Sequence, residues 1–301
     1  MQKIFILTLI FLIAQISAET WVIINPNSGT EAKNKIEELI REKIPSCQIF
    51  YTKEPKHAKE LALKAVQNGV SIVGVVGGDG TIHEAANALI GTNTALAIIP
   101  SGSGNGLARH LNIPLDTEKA LDLINAAHIK TIDTIKINGE SYLNIAGIGF
   151  DAHVSDLFEK EGQRGILSYI RHALKEFPNY KSRDYELLID GKTIKRKAFL
   201  ISFANSSQWG NNACIAPRAK IDDGLLDVVI LSEFPKYAGL PLLLRLFTHS
   251  IDHSEYIETF TAKEVILKKT ASKAHVDGEP CPFNEDLIIK VNPSSLKVLV
   301  H

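Results

Sequence analysis

Cysteine is scarce in this sequence: Cys47, Cys214 and Cys281 are the only three in 301 residues. An odd count without any C-x-x-C pair argues against a disulfide framework and against a zinc site, and it fits a reducing compartment. Net charge is lacking too, because 33 basic and 34 acidic residues leave a formal -1. Without a global basic field, nucleic acid is not an expected partner. The local run Lys192, Lys195, Arg196 and Lys197 reads as a solvated strand face. Internal repeats and low-complexity linkers are absent, and 45% apolar with 22% charged residues excludes long disorder. The apolar run at 4–13 falls short of the roughly 20 residues that a transmembrane helix needs. With Lys3 before it and Ala14-Gln15-Ile16-Ser17-Ala18 after it, the run has the parts of a secretory signal. A cleaved signal, a short membrane anchor and an upstream extension all stay open for residues 1–19.

The length suits two domains, at roughly 150 residues each. Residues 20–24 form a β-branched run stopped by Asn25-Pro26, and a helical pattern of Ile36, Leu39, Ile40 and Ile44 follows. Strand 48–51, a helix from Ala58 to Val66, strand 71–76, helix 82–90 and strand 95–99 continue the alternation. Such alternation predicts a parallel sheet covered by helices. Beyond residue 129 the pattern changes. Runs at 130–137, 142–150, 184–190, 197–204, 224–231, 263–268, 286–291 and 296–300 read as strands, with helices only at 164–177 and 235–247. The expected fold class is therefore α/β, with an N-terminal parallel-sheet domain over 20–129 and a second, β-rich, sandwich-like domain over 130–301. Whether the last strand returns to the first domain is left open.

Chemistry concentrates at three turns. Gly77-Gly78-Asp79-Gly80-Thr81 follows one strand directly and opens a helix, with Thr81 and Glu84 spaced as a capping box. Glycines let backbone approach a ligand, and a helix N-terminus presents free N–H groups, a combination that binds phosphate. An acidic residue in such a loop would repel phosphate unless a cation bridges them, so Asp79 suggests Mg-nucleotide; taken alone, the loop reads equally as a glycine-rich turn with Asp79 in a local hydrogen bond. Pro100-Ser101-Gly102-Ser103-Gly104-Asn105-Gly106 repeats the strand-turn-helix order after the next strand, and Asn25-Pro26-Asn27-Ser28-Gly29 gives it a third time. Turns after neighbouring parallel strands meet at the carboxyl edge of the sheet, where ligands bind. Together the three read as a nucleotide site.

These motifs resemble the catalytic domain shared by diacylglycerol kinases, sphingosine and ceramide kinases and their bacterial relatives. The likeness continues through Gly147-Ile148-Gly149-Phe150-Asp151-Ala152, Asp222-Asp223-Gly224-Leu225-Leu226-Asp227 and Val276-Asp277-Gly278-Glu279-Pro280. It implies ATP-dependent phosphorylation of a long-chain lipid hydroxyl, with ATP and Mg2+ as cofactors and a cleft between two domains. It further implies that Asn25, Ser28, Gly29, Gly77, Gly78, Gly80, Thr81, Glu84, Gly102, Ser103, Gly104 and Asn105 bind the nucleotide. Asp79 and Glu279 would be catalytic, Glu279 as general base with a carboxyl raised by burial. Asp223 would belong to a structural Mg loop. The residues alone favour a plain hairpin turn at Asp277-Gly278, and the resemblance reverses that reading.

Two positions depart from the family: Asn105-Gly106 stands where many members have Asn-Asp, and His83 where many bacterial members have Asn. His83 reads as an exposed first-turn residue and His275 as a strand residue. The implied partners are a membrane lipid substrate and a membrane surface in peripheral contact, with a homodimer left open. The helical stretch from Tyr237 to Phe247 is a candidate docking surface. A cytoplasmic protein, peripheral to or anchored at the membrane, is expected, against the signal-like leader. The rival functions are a kinase of a soluble acceptor such as NAD and an inactive nucleotide- or lipid-binding regulator.

Overall fold

The computed structural model describes residues 19–29, 33–161, 166–269, 273–281 and 285–301; the expectations for the leader lie outside them. β1 (Thr20–Ile24), β2 (Gln48–Tyr51), β3 (Ile72–Gly77) and β4 (Ala95–Pro100) pair in parallel in the order β2-β1-β3-β4. Every residue of β1, β3 and β4 is buried, which explains why these strands are continuous apolar runs instead of alternating ones. Between and after them run α1 (Lys33–Lys43), α2 (His57–Gln67), α3 (Asp79–Leu89), α4 (Gly106–His110) and α5 (Thr117–Ala126). The core of this unit joins Ile23, Ile40, Val73, Ile99 and Leu121.

α3 begins among the glycines, as the strand-turn-helix order predicts, three residues before its apolar stripe starts at Ile82. Gly78 is its N-cap and makes no side-chain capping bond. The expected capping box does not form, because both of its side chains have tertiary partners. The Thr81 hydroxyl accepts from Asn25 Nδ2 at 2.8 Å, and Glu84 Oε1 accepts from the Lys56 amide at 2.8 Å.

The β-rich unit holds β5 (Ile129–Ile137), β6 (Glu140–Tyr142), β7 (Ile145–Gly149), β8 (Arg183–Ile189), β9 (Lys192–Ala204), β10 (Leu226–Ser232), β11 (Ile257–Ala262), β12 (Glu264–Leu267), β13 (Ala274–Val276), β14 (Glu279–Cys281) and β15 (Leu287–Leu299). Along β9 and β10 the side chains alternate between two cores. Ile201, Phe203, Val228 and Ile230 face one, while Leu200, Ala204, Val229 and Leu231 face the other. Its helices are α6 (Phe150–Glu161), α7 (Ile166–Glu176) and α8 (Gly239–Phe247). The sequence reading runs a strand through residue 150 and passes over α6, which starts directly after Gly149 at φ +100. The basic run of β9 is paired on both faces of the strand, with Arg196 on Glu258 at 2.7 Å and Lys197 on Glu233 at 2.8 Å.

The last two strand runs of the sequence reading are one strand. β15 pairs β12 over its first half, runs antiparallel to β5 throughout, and reaches β4 in parallel at Val298↔Leu96. Its register slips between Asn292 and Leu296, where Pro293 can donate nothing and Ser294 turns to φ +48. Buried Asp133 on β5 holds the irregularity. One carboxylate oxygen accepts from Ser294 N at 2.6 Å and the other from Gly224 N at 2.7 Å. One sheet thus crosses both units.

Asp227 on β10 is 7% exposed, and burial together with the charge of Asp223 pushes its carboxyl up to about 6. Its folded value lies above the ordinary one, so the ionised form costs stability and the cost appears as pH rises from about 4 through 6. Asp227→Asn should raise stability at pH 7.5 by about 1 kcal/mol, or roughly 2–4 °C in Tm. Thermal unfolding across pH should show the gain vanishing by about pH 4.

Candidate functional site

The carboxyl ends of β1, β3 and β4 lie in register, with Ile24 beside Val76 and Gly77 beside Pro100. The three turns that follow therefore emerge at one edge, and they pack on each other through their glycines. A Cβ on Gly29, at φ +73, would sit 2.2 Å from Ser101 Oγ. One on Gly102 would sit 2.6 Å from Gly78 Cα, and one on Gly210 of the β-rich unit would sit 2.9 Å from Gly104 Cα. Contacts below 3.0 Å with backbone leave no room for a side chain. The glycines are required for turn-on-turn packing before any ligand is considered.

Asp79 fastens this arrangement. Its Oδ2 accepts from Asn105 N and its Oδ1 from Gly106 N, both at 2.8 Å, so the first helical residue of α3 grips the backbone that opens α4. Burial pushes its carboxyl above the usual range, opposed by those two bonds and helped by the charge of Asp277. Asn25 anchors the third turn. Its amide reaches Thr81, while its backbone oxygen accepts from Ser28 N at 3.2 Å and from Ser28 Oγ at 2.9 Å.

Below these turns opens a cleft of about 1150 Å3. Of the residues expected to bind nucleotide, Asn25, Ser28, Gly29, Gly78, Gly80, Thr81, Gly102, Ser103, Gly104 and Asn105 line it, together with Asp79. Gly77 is buried at the end of β3, and Glu84 is turned to the Lys56 amide, so neither lines it. Arg109 does line the cleft, bridging Gly104 O at 3.1 Å and Asn212 Oδ1 at 3.2 Å across the two units.

The opposite wall is the β13–β14 hairpin. Asp277 and Gly278 form its two-residue turn at φ +49 and +89, as the bare residues suggest. Asp277 does more than turn the chain. Its Oδ1 accepts from Asn144 N at 2.9 Å and Ile145 N at 3.1 Å, and its Oδ2 accepts from Leu143 N at 3.0 Å and meets His83 Nδ1 at 2.7 Å. His83 is not the exposed residue of the sequence reading; it joins α3 to the hairpin. Burial alone would pull its imidazole down, but the bond to Asp277 and the charges of Asp277, Glu279 and Glu84 leave it raised. Glu279 is exposed, contrary to the expected buried carboxyl. Its Oε1 stands 3.4 Å from where a Cβ on Gly80 would be, at the rim of the cleft and off its lining. Asp223 does not line the cleft; it is exposed, with Oδ1 accepting from Leu225 N at 3.1 Å. Among the described residues no three His, Cys, Asp or Glu side chains group to hold a metal.

An α/β unit whose glycine turns face a β-rich unit across one cleft is the class that this geometry defines. Comparison with known proteins resolves the family. Residues 19–137 match the diacylglycerol kinase catalytic domain, and residues 144–300 match the YegS C-terminal NAD kinase beta sandwich-like domain. The chain belongs to the diacylglycerol kinase catalytic-domain family, in its bacterial lipid-kinase branch. Among its relatives is a diacylglycerol kinase of Mycobacterium tuberculosis (strain ATCC 25618 / H37Rv), 30% identical over 251 residues that cover 80% of this chain and 81% of the relative. A Salmonella arizonae protein named as a probable lipid kinase, YegS, is 30% identical over 86% of this chain and 88% of its own. A solved Bacillus anthracis str. Sterne structure described as a diacylglycerol kinase shares the fold at TM-score 0.74 and 21% identity, over 94% of this chain and 97% of that one.

Gly102→Ala should cost about 1–3 kcal/mol in urea unfolding, since a backbone neighbour cannot step aside for the new methyl. Ser103→Ala, at an exposed position of the same turn, should stay within about 0.5 kcal/mol of the parent.

Proposed function

We propose that this protein transfers the γ-phosphoryl group of ATP to a hydroxyl of a long-chain lipid of diacylglycerol or sphingoid type. The observation that carries the reading is the convergence of three glycine turns and the N-terminus of α3 on one cleft, fastened by the Asp79 carboxylate. The backbone N–H groups there suit a polyphosphate, and Arg109 adds a cation to the wall. Phosphoryl transfer is mostly positioning and charge neutralisation, which a rigid cradle supplies. Mg2+ usually takes one or two carboxylates plus substrate phosphates, so Asp79 beside bound phosphates fits it better than a cage of side chains. When bound it neutralises charge on the phosphates. Asp223, off the lining of the cleft, would serve only as a structural contact. Glu279 at the rim would take the proton of the attacking hydroxyl as that oxygen bonds to the γ-phosphorus and the bond from the γ-phosphorus to the bridging oxygen breaks, releasing ADP.

The lipid acceptor is favoured over a soluble one by an apolar surface on the β-rich unit. Tyr237, Leu240, Leu244 and Phe247 are 81%, 65%, 58% and 41% exposed and fall on one side of α8 and the 3-10 turn before it, while Leu242 is buried. Spacing of three and four residues makes a single stripe, flanked by Lys236 and Arg245, suited to the interface of an anionic membrane. No helix among the described residues is long and apolar enough to cross a membrane.

Incubating the purified protein with γ-labelled ATP, Mg2+ and a panel of lipids should yield labelled phospholipid, and Asp79→Asn should lower turnover at least about 100-fold. Label in NAD instead of lipid would favour the soluble-acceptor rival. Replacing Leu240 and Leu244 by Ser should release the protein from sedimenting phosphatidylglycerol vesicles while leaving ATP binding unchanged. Equal sedimentation of variant and parent would rule that surface out.

A further inference from the structure

The first turns of α3 carry two polar side chains that fasten different walls of the cleft. Asp79 grips the backbone that opens α4. His83, four residues on and therefore on the same side of the helix, reaches the β13–β14 hairpin, where its Nδ1 meets Asp277 Oδ2 at 2.7 Å. A carboxylate only accepts, so the imidazole carries its proton on Nδ1 whether the ring is neutral or charged. What the contact requires at that point is a donor, not a titrating group.

Asp277 is otherwise bound within its own unit. The amides of Leu143, Asn144 and Ile145 donate to its carboxylate, and its own N–H donates to Ile145 O at 3.0 Å. The hairpin turn is thus a fixed part of the β-rich unit, and His83 ties that fixed part to the α/β unit. Glu279 follows Asp277 by two residues, and its Oε1 stands 3.4 Å from where a Cβ on Gly80 would be. Gly80 precedes His83 by three residues on the same helix. A closed ring therefore runs from Gly80 through His83, Asp277 and Glu279 back to Gly80. Within that ring the His83–Asp277 bond sets the gap between the rim carboxylate and the glycine turn.

Other bonds hold the phosphate side of the cleft. Asn211 N donates to Gly104 O at 3.0 Å, and Arg109 bridges the same oxygen and Asn212. His83 does not line the cleft, so its influence passes through Asp277 and not through contact with a bound molecule.

Resting on the lipid-kinase reading with Glu279 as base, we infer that His83 is a positioning residue. Its Nδ1–H, bound to Asp277, fixes how far the Glu279 carboxylate stands from the Gly78–Thr81 turn, and so governs the chemical step without contributing to ATP affinity.

The test is steady-state kinetics of the full chain with ATP, Mg2+ and either diacylglycerol or sphingosine in mixed micelles, whichever is phosphorylated faster. His83→Leu fills the space and removes the donor while the three amides still hold Asp277. It should lower kcat at least about 10-fold, because a misplacement of about 1 Å costs on the order of 100-fold. KM for ATP should stay within about 2-fold of the parent. His83→Asn, whose Nδ2 takes nearly the place of Nδ1, should keep kcat within about 3-fold of the parent. In a Glu279→Gln background, His83→Leu should change the residual kcat by less than about 2-fold, since no base is left to position. A merely structural role would lower kcat alike in both backgrounds. In parent protein labelled with 15N-histidine, the ring signal missing from His83→Asn should report a proton on Nδ1 at neutral and alkaline pH.

Parent-like kcat in His83→Leu, an equal loss in both backgrounds, a loss in His83→Asn as large as in His83→Leu, or a neutral ring protonated on Nε2 would each overturn the inference. All four leave the lipid-kinase reading in place. Parent-like turnover of Glu279→Gln removes the base, and the inference with it. Absence of phosphorylation of both lipids overturns the reading for these acceptors, and the inference falls with it.

Discussion

The contact between Gly78 and Gly102 is the constraint on which the cleft depends. Two loops that leave neighbouring strands can touch backbone to backbone only when neither carries a Cβ at the contact; the same condition recurs at Gly104 against Gly210, and at Gly29 one side must be bare to admit Ser101. Loop backbone packed this closely must still satisfy its N–H groups. Asp79 satisfies two of them, at Asn105 and Gly106, and thereby converts a steric fit into a fixed one. Preorganisation of this kind matters for phosphoryl transfer, because a cradle already in place needs no rearrangement during the reaction.

The second unit is not simply set against the first. β15 carries the ladder from one to the other, and Asp133 pins its irregular middle to the loop at Gly224. Across the cleft, His83 and Asp277 join α3 to the β13–β14 hairpin, and Arg109 joins α4 to Asn212. Each link is polar and spans more than 90 residues of sequence. The walls of the cleft are thus held by a few directional bonds at its rim and by a continuous sheet at its back.

The sequence made the three turns legible because each follows a β-branched or apolar run and is written in Gly, Pro, Asn and Ser, the residues that turns require. Two units and most strands were legible for the same local reason. The misses share a different character. Thr81 and Glu84 have capping-box spacing, yet Asn25 and the Lys56 amide claim them, a choice made by tertiary contact. The strand pattern through Gly149 hid the start of α6, since an apolar Gly-Ile-Gly-Phe stretch reads alike in a strand and at a helix entry. β15 looked like two strands because Pro293 interrupts it, although β5 accompanies both halves. The resemblance brought Glu279 forward, and nothing local shows that His275 of the same hairpin is the residue that lines the cleft. Nothing local pairs Asp151 with a histidine 124 residues later.

The place of β15 also bears on how the molecule comes into being. β4 is bordered by β3 on one side and by β15 on the other, through Val298 and Leu96. During synthesis the first unit emerges long before residue 298, so its sheet stands with a bare, fully apolar edge while the β-rich unit is still being made. An open edge of that kind invites pairing with a neighbouring chain. The nascent first unit therefore depends on shielding, or on rapid completion, until the final strand slots in beside β4.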